Sequence, residues 1–268
     1  MRASARARPL HAAGGARCYA APAMTPTAPL LVRELVCRYG DFVAVNGLSL
    51  EVRPGEIVGF LGPNGAGKTS TLRSCAGLMR PASGEIEIAG ASLGRDPLAA
   101  KARAGFVPDE PFLYELLSAS EFFDFVAALY GVPPAIARER AAAMMDRFEL
   151  REDSDQLIES YSLGMRQKTS VIAALLHDPP LLMLDEPLGG LDPRGARALK
   201  DLLHERAARG CGALVSTHLL DVAERLCDRV VILHRGRVLA TGSLAELRGA
   251  RGDATLEDVF LELTAPQA

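Results

Sequence analysis

Lys68 and Thr69 close the run Gly62-Pro63-Asn64-Gly65-Ala66-Gly67-Lys68-Thr69, whose residue types at this spacing could hold a polyphosphate. Glycines let backbone N–H groups curve around phosphate oxygens without Cβ clashes. The Lys68 ammonium is a mobile positive charge for the β- and γ-phosphates, and the Thr69 hydroxyl is a ligand for Mg²⁺. Far downstream lies Leu181-Leu182-Met183-Leu184-Asp185-Glu186, apolar residues followed by two carboxylates. Asp185 at the end of a buried strand can hold Mg²⁺ through water, because that ion keeps much of its hydration shell. Glu186 is placed to polarise an attacking water as a general base. The glycine run alone leaves kinases, GTPases and many ATPases open; the acidic pair adds hydrolysis.

Both runs need a rigid frame. Residues 57–61 read as a buried strand leading straight into the glycine run, and a helix is predicted from about 68 to 79, stopped by Pro81. That helix turns its partly positive end toward the phosphates. Residues 31–61 read as short strands with turns at Tyr39-Gly40-Asp41, Asn46-Gly47 and Arg53-Pro54-Gly55. From about 110 to 177 the chain reads as helical. Ser118-Ala119-Ser120-Glu121 has capping-box spacing, and Phe122, Phe125, Val126, Leu129 and Tyr130 follow a helical period until Gly131 and Pro133. An alanine-rich helix is predicted at about 134–149. Strands return at 181–184, 213–216 and 230–233, the last paired with 238–240 across His234-Arg235-Gly236; residues 244–263 read as one or two short helices. Strand-rich ends around a helical insert predict an α/β core carrying a helical subdomain.

Between the two chemical runs lies Tyr161-Ser162-Leu163-Gly164-Met165-Arg166-Gln167-Lys168. It resembles the signature of ABC ATPases, in the YSxGMxQ form common in bacterial exporters, for which kinases and GTPases have no counterpart. The resemblance extends over about residues 30–245 and includes the order and spacing of every motif. It implies a P-loop NTPase core of ABC type, with an N-terminal antiparallel β subdomain and a helical insertion. On this basis residues 29–245 form the ATPase domain, with the helical subdomain at about 110–177, and 246–268 form a short helical tail.

The resemblance also implies a site. ATP would lie on Gly62, Pro63, Asn64, Gly65, Ala66, Gly67, Lys68, Thr69 and Ser70, its adenine stacked on Tyr39. Such stacking is worth roughly 1 to 3 kcal/mol by analogy with single-stranded nucleic-acid sites. Glu186, Lys68 and His218 would act in catalysis, His218 as the switch histidine at the γ-phosphate, with Thr69, Asp185 and Asp109 at Mg²⁺. Gly190-Leu191-Asp192 resembles the D-loop that couples two halves of a dimer. Ser162 and Gly164 are expected just before an apolar-periodic helix that runs to about His177 and is ended by Asp178-Pro179, so that free N–H donors face an anion. In the family that anion is the γ-phosphate held by the other subunit's glycine loop. One chain carries one of each motif, so two chains would pair head to tail, as a C2 dimer if identical. Two positions depart from the pattern. Asp109 stands where the family has its Q-loop glutamine; it can still ligate Mg²⁺ or accept a hydrogen bond from water, but it is shorter and charged. Leu163 replaces the first signature glycine, while Ser162 and Gly164 remain. Hydrolysis is expected to survive both.

Bulk properties bound the rest. The 268 residues, 49% hydrophobic, suffice for one large domain with an insertion. A formal net charge of -3 argues against a nucleic-acid partner bound through a general electrostatic footprint. No run approaches the roughly 18 to 20 apolar residues of a spanning helix. A membrane role would therefore pass through an integral permease subunit, with this chain peripheral at the cytoplasmic face. Cys18, Cys37, Cys75, Cys211 and Cys227 form no CxxC pair and fit a reduced setting. Residues 1–28 are expected to be a disordered or non-native extension. Its Arg-rich, acid-free start also leaves a transit peptide open, against a disordered tail or upstream sequence with Met24 as the start.

The leading function is the ATPase subunit of an exporter, export being inferred from the signature form and from residues 108–114, which resemble a variant in a bacterial exporter group. Phe112, Leu113, Tyr114, Phe122 and Phe123 could line a groove for a permease helix, although each more often serves as core. The alternative is a soluble ABC ATPase acting on ribosomes or DNA, whose relatives usually carry two ATPase domains or a long coiled coil. An ordinary P-loop kinase leaves the signature unexplained.

Overall fold

Alternating apolar and polar residues build the first two elements, β1 (Leu30–Tyr39) and β2 (Phe42–Val52), an antiparallel hairpin closed at Gly40-Asp41. The Asn46-Gly47 pair, expected as a turn, lies inside β2. Leu35 pairs with Leu48 and Val36 with Asn46, which leaves Gly47, at φ 69°, as the extra residue of a bulge. Apolar residues on both sides of the pair keep their partners in β1, so the strand bends there instead of ending. The structure, a computed structural model, describes residues 27–248 and 255–264. The expected N-terminal extension, Cys18 included, lies outside the described residues except at positions 27 and 28.

β3 (Ile57–Leu61) is buried throughout and enters the glycine loop, which opens into α1 (Lys68–Cys75). This helix stops earlier than Pro81 would require. Gly77, at φ 67°, takes the left-handed position, its N–H donating to Ser74 O and that of Leu78 to Arg73 O. That is a Schellman stop. β4 (Ser83–Ile88) and β5 (Ala91–Ser92) complete an antiparallel sheet of order β2-β1-β4-β5; α2 (Pro97–Lys101) then leads to β6 (Ala104–Val107).

The insert holds α3 (Ala119–Leu129), α4 (Pro134–Arg147) and α5 (Leu163–Leu175). The capping box at Ser118 forms in both directions, Glu121 N–H to Ser118 Oγ at 3.2 Å and Ser118 N–H to Glu121 Oε2 at 2.9 Å. The insert is not helical throughout: residues 110–118 and 148–162 are irregular apart from short 3-10 turns. β7 (Leu181–Asp185), α6 (Pro193–Ala208), β8 (Gly212–Thr217), α7 (Leu220–Leu226), β9 (Arg229–His234) and β10 (Arg237–Gly242) follow, then α8 (Leu244–Arg248) and α9 (Leu256–Thr264).

The second sheet runs β10-β9-β3-β8-β7-β6, parallel except for β10. Both faces are covered, as continuous apolar strands require. In β7, Leu182 and Leu184 join a core with α3, α5 and α6, while Leu181 and Met183 join one with β1, β2 and α1. Among the described residues no helix is long and apolar enough to cross a membrane.

Candidate functional site

Parallel strands deliver their C-terminal ends to one edge of a sheet, where ligands bind in open α/β folds. Here β3 delivers Gly62, β6 leads to Asp109, β7 ends at Asp185 and β8 ends just before His218. β8 pairs with β3 on one side and β7 on the other, so His218 emerges between the glycine loop and Glu186.

The loop is shaped by close approach. A Cβ at Gly62 would stand 2.3 Å from Leu233 O, and one at Gly67, whose φ is 107°, 2.6 Å from Ala44 O. Gly236 N–H, from the β9–β10 turn, donates to Ala66 O at 2.9 Å. The first turn of α1 has no side-chain cap, which leaves its N–H donors for an anion. Lys68 is buried, with Nζ donating to Gly62 O at 2.7 Å and Pro63 O at 3.4 Å. Burial pulls its pKa below the ordinary lysine value, against the opposing pull of Glu186, Asp185 and Asp109. Tyr39, 51% exposed, shares a hydrogen bond of 3.2 Å between its hydroxyl and Ser70 Oγ. The ring is thereby tied to the start of α1 while half of the residue stays exposed.

Asp185 is 2% exposed, yet its Oδ1 has no hydrogen-bond partner among the described residues. Ser216, its register partner on β8, has an unpartnered Oγ as well. A buried carboxylate oxygen left unpaired is costly, and a cation is the group that would satisfy it. Thr69 and Asp109 line one groove, and the Asp185 charge acts on Asp109. Among the described residues no three His, Cys, Asp or Glu side chains converge to hold a metal by themselves. Mg²⁺ would need further oxygens from phosphate and water, which is its usual habit. The Asp109 carboxyl is pushed above the ordinary range by burial and then by Asp185, Glu186 and Glu110, with His218 opposing. Asp109 therefore belongs electrostatically to this cluster, despite being shorter than a glutamine.

Glu186 takes φ 45°, a left-handed conformation costly for a residue with a side chain. Its N–H is held by Ser216 O at 3.0 Å. Its carboxylate meets His218 twice, Nδ1 at 3.0 Å from Oε1 and the backbone N–H 3.4 Å from Oε2. The arrangement presents a carboxylate on a strained backbone, oriented by a histidine, beside a lysine and an aspartate with one oxygen unpartnered among the described residues.

The signature is held elsewhere. Ser162 caps α5, accepting from Met165 N–H at 3.3 Å. Gly164 lies inside the first turn of the helix, not before it, and a Cβ there would stand 2.6 Å from Gly190 O. Leu163 is exposed and lies against Gly190. Asp192 caps α6 through Gly195 N–H (3.2 Å) and pairs with Lys168 at 3.3 Å, which holds its carboxyl below the ordinary range. Gln167 is a residue the sequence reading gave no role: buried, its Nε2 donates to Pro187 O at 3.3 Å, just after Glu186. Its neighbours Arg166, Lys168 and Thr169 are polar, so no local pattern marks it as buried; Ser216 does carry a signal, as a hydroxyl near the end of an apolar strand.

Beside Asp109 opens a groove of about 980 Å³. Of the five apolar residues expected there, Phe112 is 91% exposed at its rim, Leu113 and the mostly buried Phe122 line it, and Tyr114 is exposed and edge-on to Phe125 with centroids 5.2 Å apart. Phe123 is core, because α3 turns that position toward α4 and α5.

A family model described as ABC transporter matches residues 45–189. The chain is 37% identical to the ABC-type transporter ATP-binding protein EcsA of Bacillus subtilis, over 89% of this chain and 98% of that protein. It is 36% identical to the Nod factor export ATP-binding protein I of Ralstonia nicotianae, over 84% and 70% of the two chains. A solved ATP-binding subunit of an ABC transporter superposes with TM-score 0.84 at 38% identity, over 88% and 99%.

Proposed function

This chain belongs to the ABC transporter family of ATP-binding subunits, and from that premise we propose that it hydrolyses ATP between two copies of itself to drive export through a separate membrane permease. The observation that carries the ATPase reading is the group at the β7 end: an unpartnered buried Asp185 oxygen beside a Glu186 carboxylate oriented by His218.

In this reading residues 62–70 hold the phosphates through backbone N–H groups and Lys68, and Tyr39 stacks on the base. Asp185, Thr69 and Asp109 are the residues that would hold Mg²⁺, which would supply charge neutralisation on the phosphates. Glu186 takes the proton of the attacking water, and His218 keeps its carboxylate aimed. Lys68 remains with the phosphates as charge develops on them. Ser162 and Gly164 present the start of α5 to the γ-phosphate in the partner copy, so ATP joins the copies and hydrolysis releases them. One set of motifs per chain supports the pairing of two chains, which is a C2 homodimer when they are identical.

Export is supported by the Ralstonia relative, whose name states it, and by the YSxGM form of the signature. The permease reading is supported by the exposed Phe112 at the groove beside Asp109, with the exposed Tyr114 two residues on; in this reading the chain is peripheral on the cytoplasmic face of the membrane. When the chain is purified from its native membranes in mild detergent, a multi-helix membrane protein is expected to copurify in stoichiometric amount. Stable association with ribosomes and no membrane protein would replace the transport reading with the soluble alternative.

A further inference from the structure

Two irregular segments of the insert lie side by side although α3 and α4 separate them in sequence. Ile158 N–H donates to Leu117 O at 2.9 Å, Glu159 N–H to Glu115 O at 3.0 Å, and Ser118 bridges antiparallel to Leu157. The first segment carries the exposed Phe112, Tyr114 and Leu116. The second runs directly into Tyr161 and Ser162. Arg166, in the opening turn of α5, closes the junction. Its guanidinium donates to the Glu115 carboxylate, to Glu159 O at 3.1 Å and to Tyr161 O at 3.2 Å.

A planar guanidinium suits this task, since its rigid fork fixes several acceptors at once where an ammonium fixes one point. Holding the Tyr161 carbonyl orients the whole Tyr161–Ser162 peptide, because that unit is planar. Tyr161 is buried and anchored from its other end, its hydroxyl donating to Asp153 O at 2.6 Å. The direction in which Ser162 and the first N–H groups of α5 point is thus set from both sides.

We propose that Arg166, clamped by Glu115, is a positioning residue for the Ser162–Gly164 end of α5, and that the pair ties this end to the exposed 112–116 segment. The inference rests on the dimer reading above. Contact made by a partner on Phe112, Tyr114 or Leu116 would reach Glu115, and through Arg166 the helix start that faces the other copy's phosphate.

The test uses the full chain carrying Glu186→Gln, with ATP and Mg²⁺ as the probe. Dimerisation is followed by light scattering against protein concentration, single-chain affinity with a fluorescent ATP analogue at low protein concentration, and folding by the melting temperature. Glu115→Gln and Arg166→Lys are each expected to weaken dimerisation while leaving single-chain affinity and melting temperature in place, because a half-exposed ion pair adds little to stability. Each dimer contains the contact twice, so a loss of about threefold per site becomes about ninefold in the dimer constant. The double variant is expected to lose little more than the worse single variant, as one shared interaction requires. Unchanged dimerisation in both single variants, a fully additive double loss, or an equal loss of single-chain affinity would each overturn the proposal while the dimer reading stands. A Glu186→Gln parent that stays monomeric with bound ATP would remove the dimer reading itself, and this inference with it.

Discussion

Glu186→Gln is expected to keep ATP binding and to lower turnover by about 10² to 10⁴-fold, the contribution of a positioned general base. The amide matches the carboxylate in shape, so the backbone bond to Ser216 O and the contact with the His218 N–H can persist. What it lacks is the basicity to take a proton from water. Phosphate binding does not pass through this side chain: Lys68 is held by the Gly62 and Pro63 carbonyls and the loop by Gly236 N–H on Ala66 O. Binding and turnover should therefore separate, with ATP bound and not consumed. Steady-state phosphate release and filter retention of labelled ATP measure the two quantities. Normal turnover would take Glu186 out of the base role and leave its φ of 45° without a catalytic reason.

Lys68→Ala is expected to do the reverse and weaken ATP affinity itself, by about a hundredfold. Hydrogen bonds to a charged group contribute about 1.5 to 3 kcal/mol each, and about 1.4 kcal/mol is tenfold in affinity. The folded chain should tolerate the change. Burial already disfavours this ammonium, and the carbonyls of Gly62 and Pro63 that it serves sit on a loop shaped by other contacts. Isothermal titration with ATP and Mg²⁺ gives the affinity, and circular dichroism checks the fold. Undiminished affinity in a folded variant would contradict the assignment of the glycine run to the phosphates.

Legibility in the sequence followed from how local each determinant is. The glycine run, the Asp185-Glu186 pair and His218 could be read because each lies at a strand end within a few residues of its own apolar run. The structure brings those ends to one edge through the pairing of β8 with both β3 and β7. The capping box of α3 was equally local. The stop of α1 comes at Gly77 and not near Pro81 because a left-handed glycine stops a helix as firmly as a proline four residues further on, and a left-handed φ leaves no mark in the sequence beyond the glycine itself. Asn46-Gly47 was read as a turn because a bulge is visible only through its partner strand.

β4, β5, α2, β6, α6 and α7 were not read at all. β6 is short, with a glycine at its second residue where α5 approaches closely, and its strand character comes from pairing with β7. α6 does carry a local signal, Asp192 as cap with Pro193 at the first helical position, which coincides with the D-loop aspartate. The Glu186–His218 contact and the Arg166–Glu115 contact join residues far apart in the chain. No periodicity or spacing encodes such contacts.

Mixing two differently disabled chains tests most directly whether the ATP site is built from two copies. Chains carrying Glu186→Gln lack the base but keep an intact signature. Chains carrying Ser162→Glu keep the loop and base, while the added carboxylate repels the phosphate at α5; an acidic residue is still well tolerated at a helix start. A head-to-tail pair of one of each contains one complete site. ATPase activity of the mixture should exceed the sum of the two separate preparations and peak when both chains are present in comparable amounts. Activity equal to that sum at every mixing ratio would contradict the account, because it would place the whole site within a single chain.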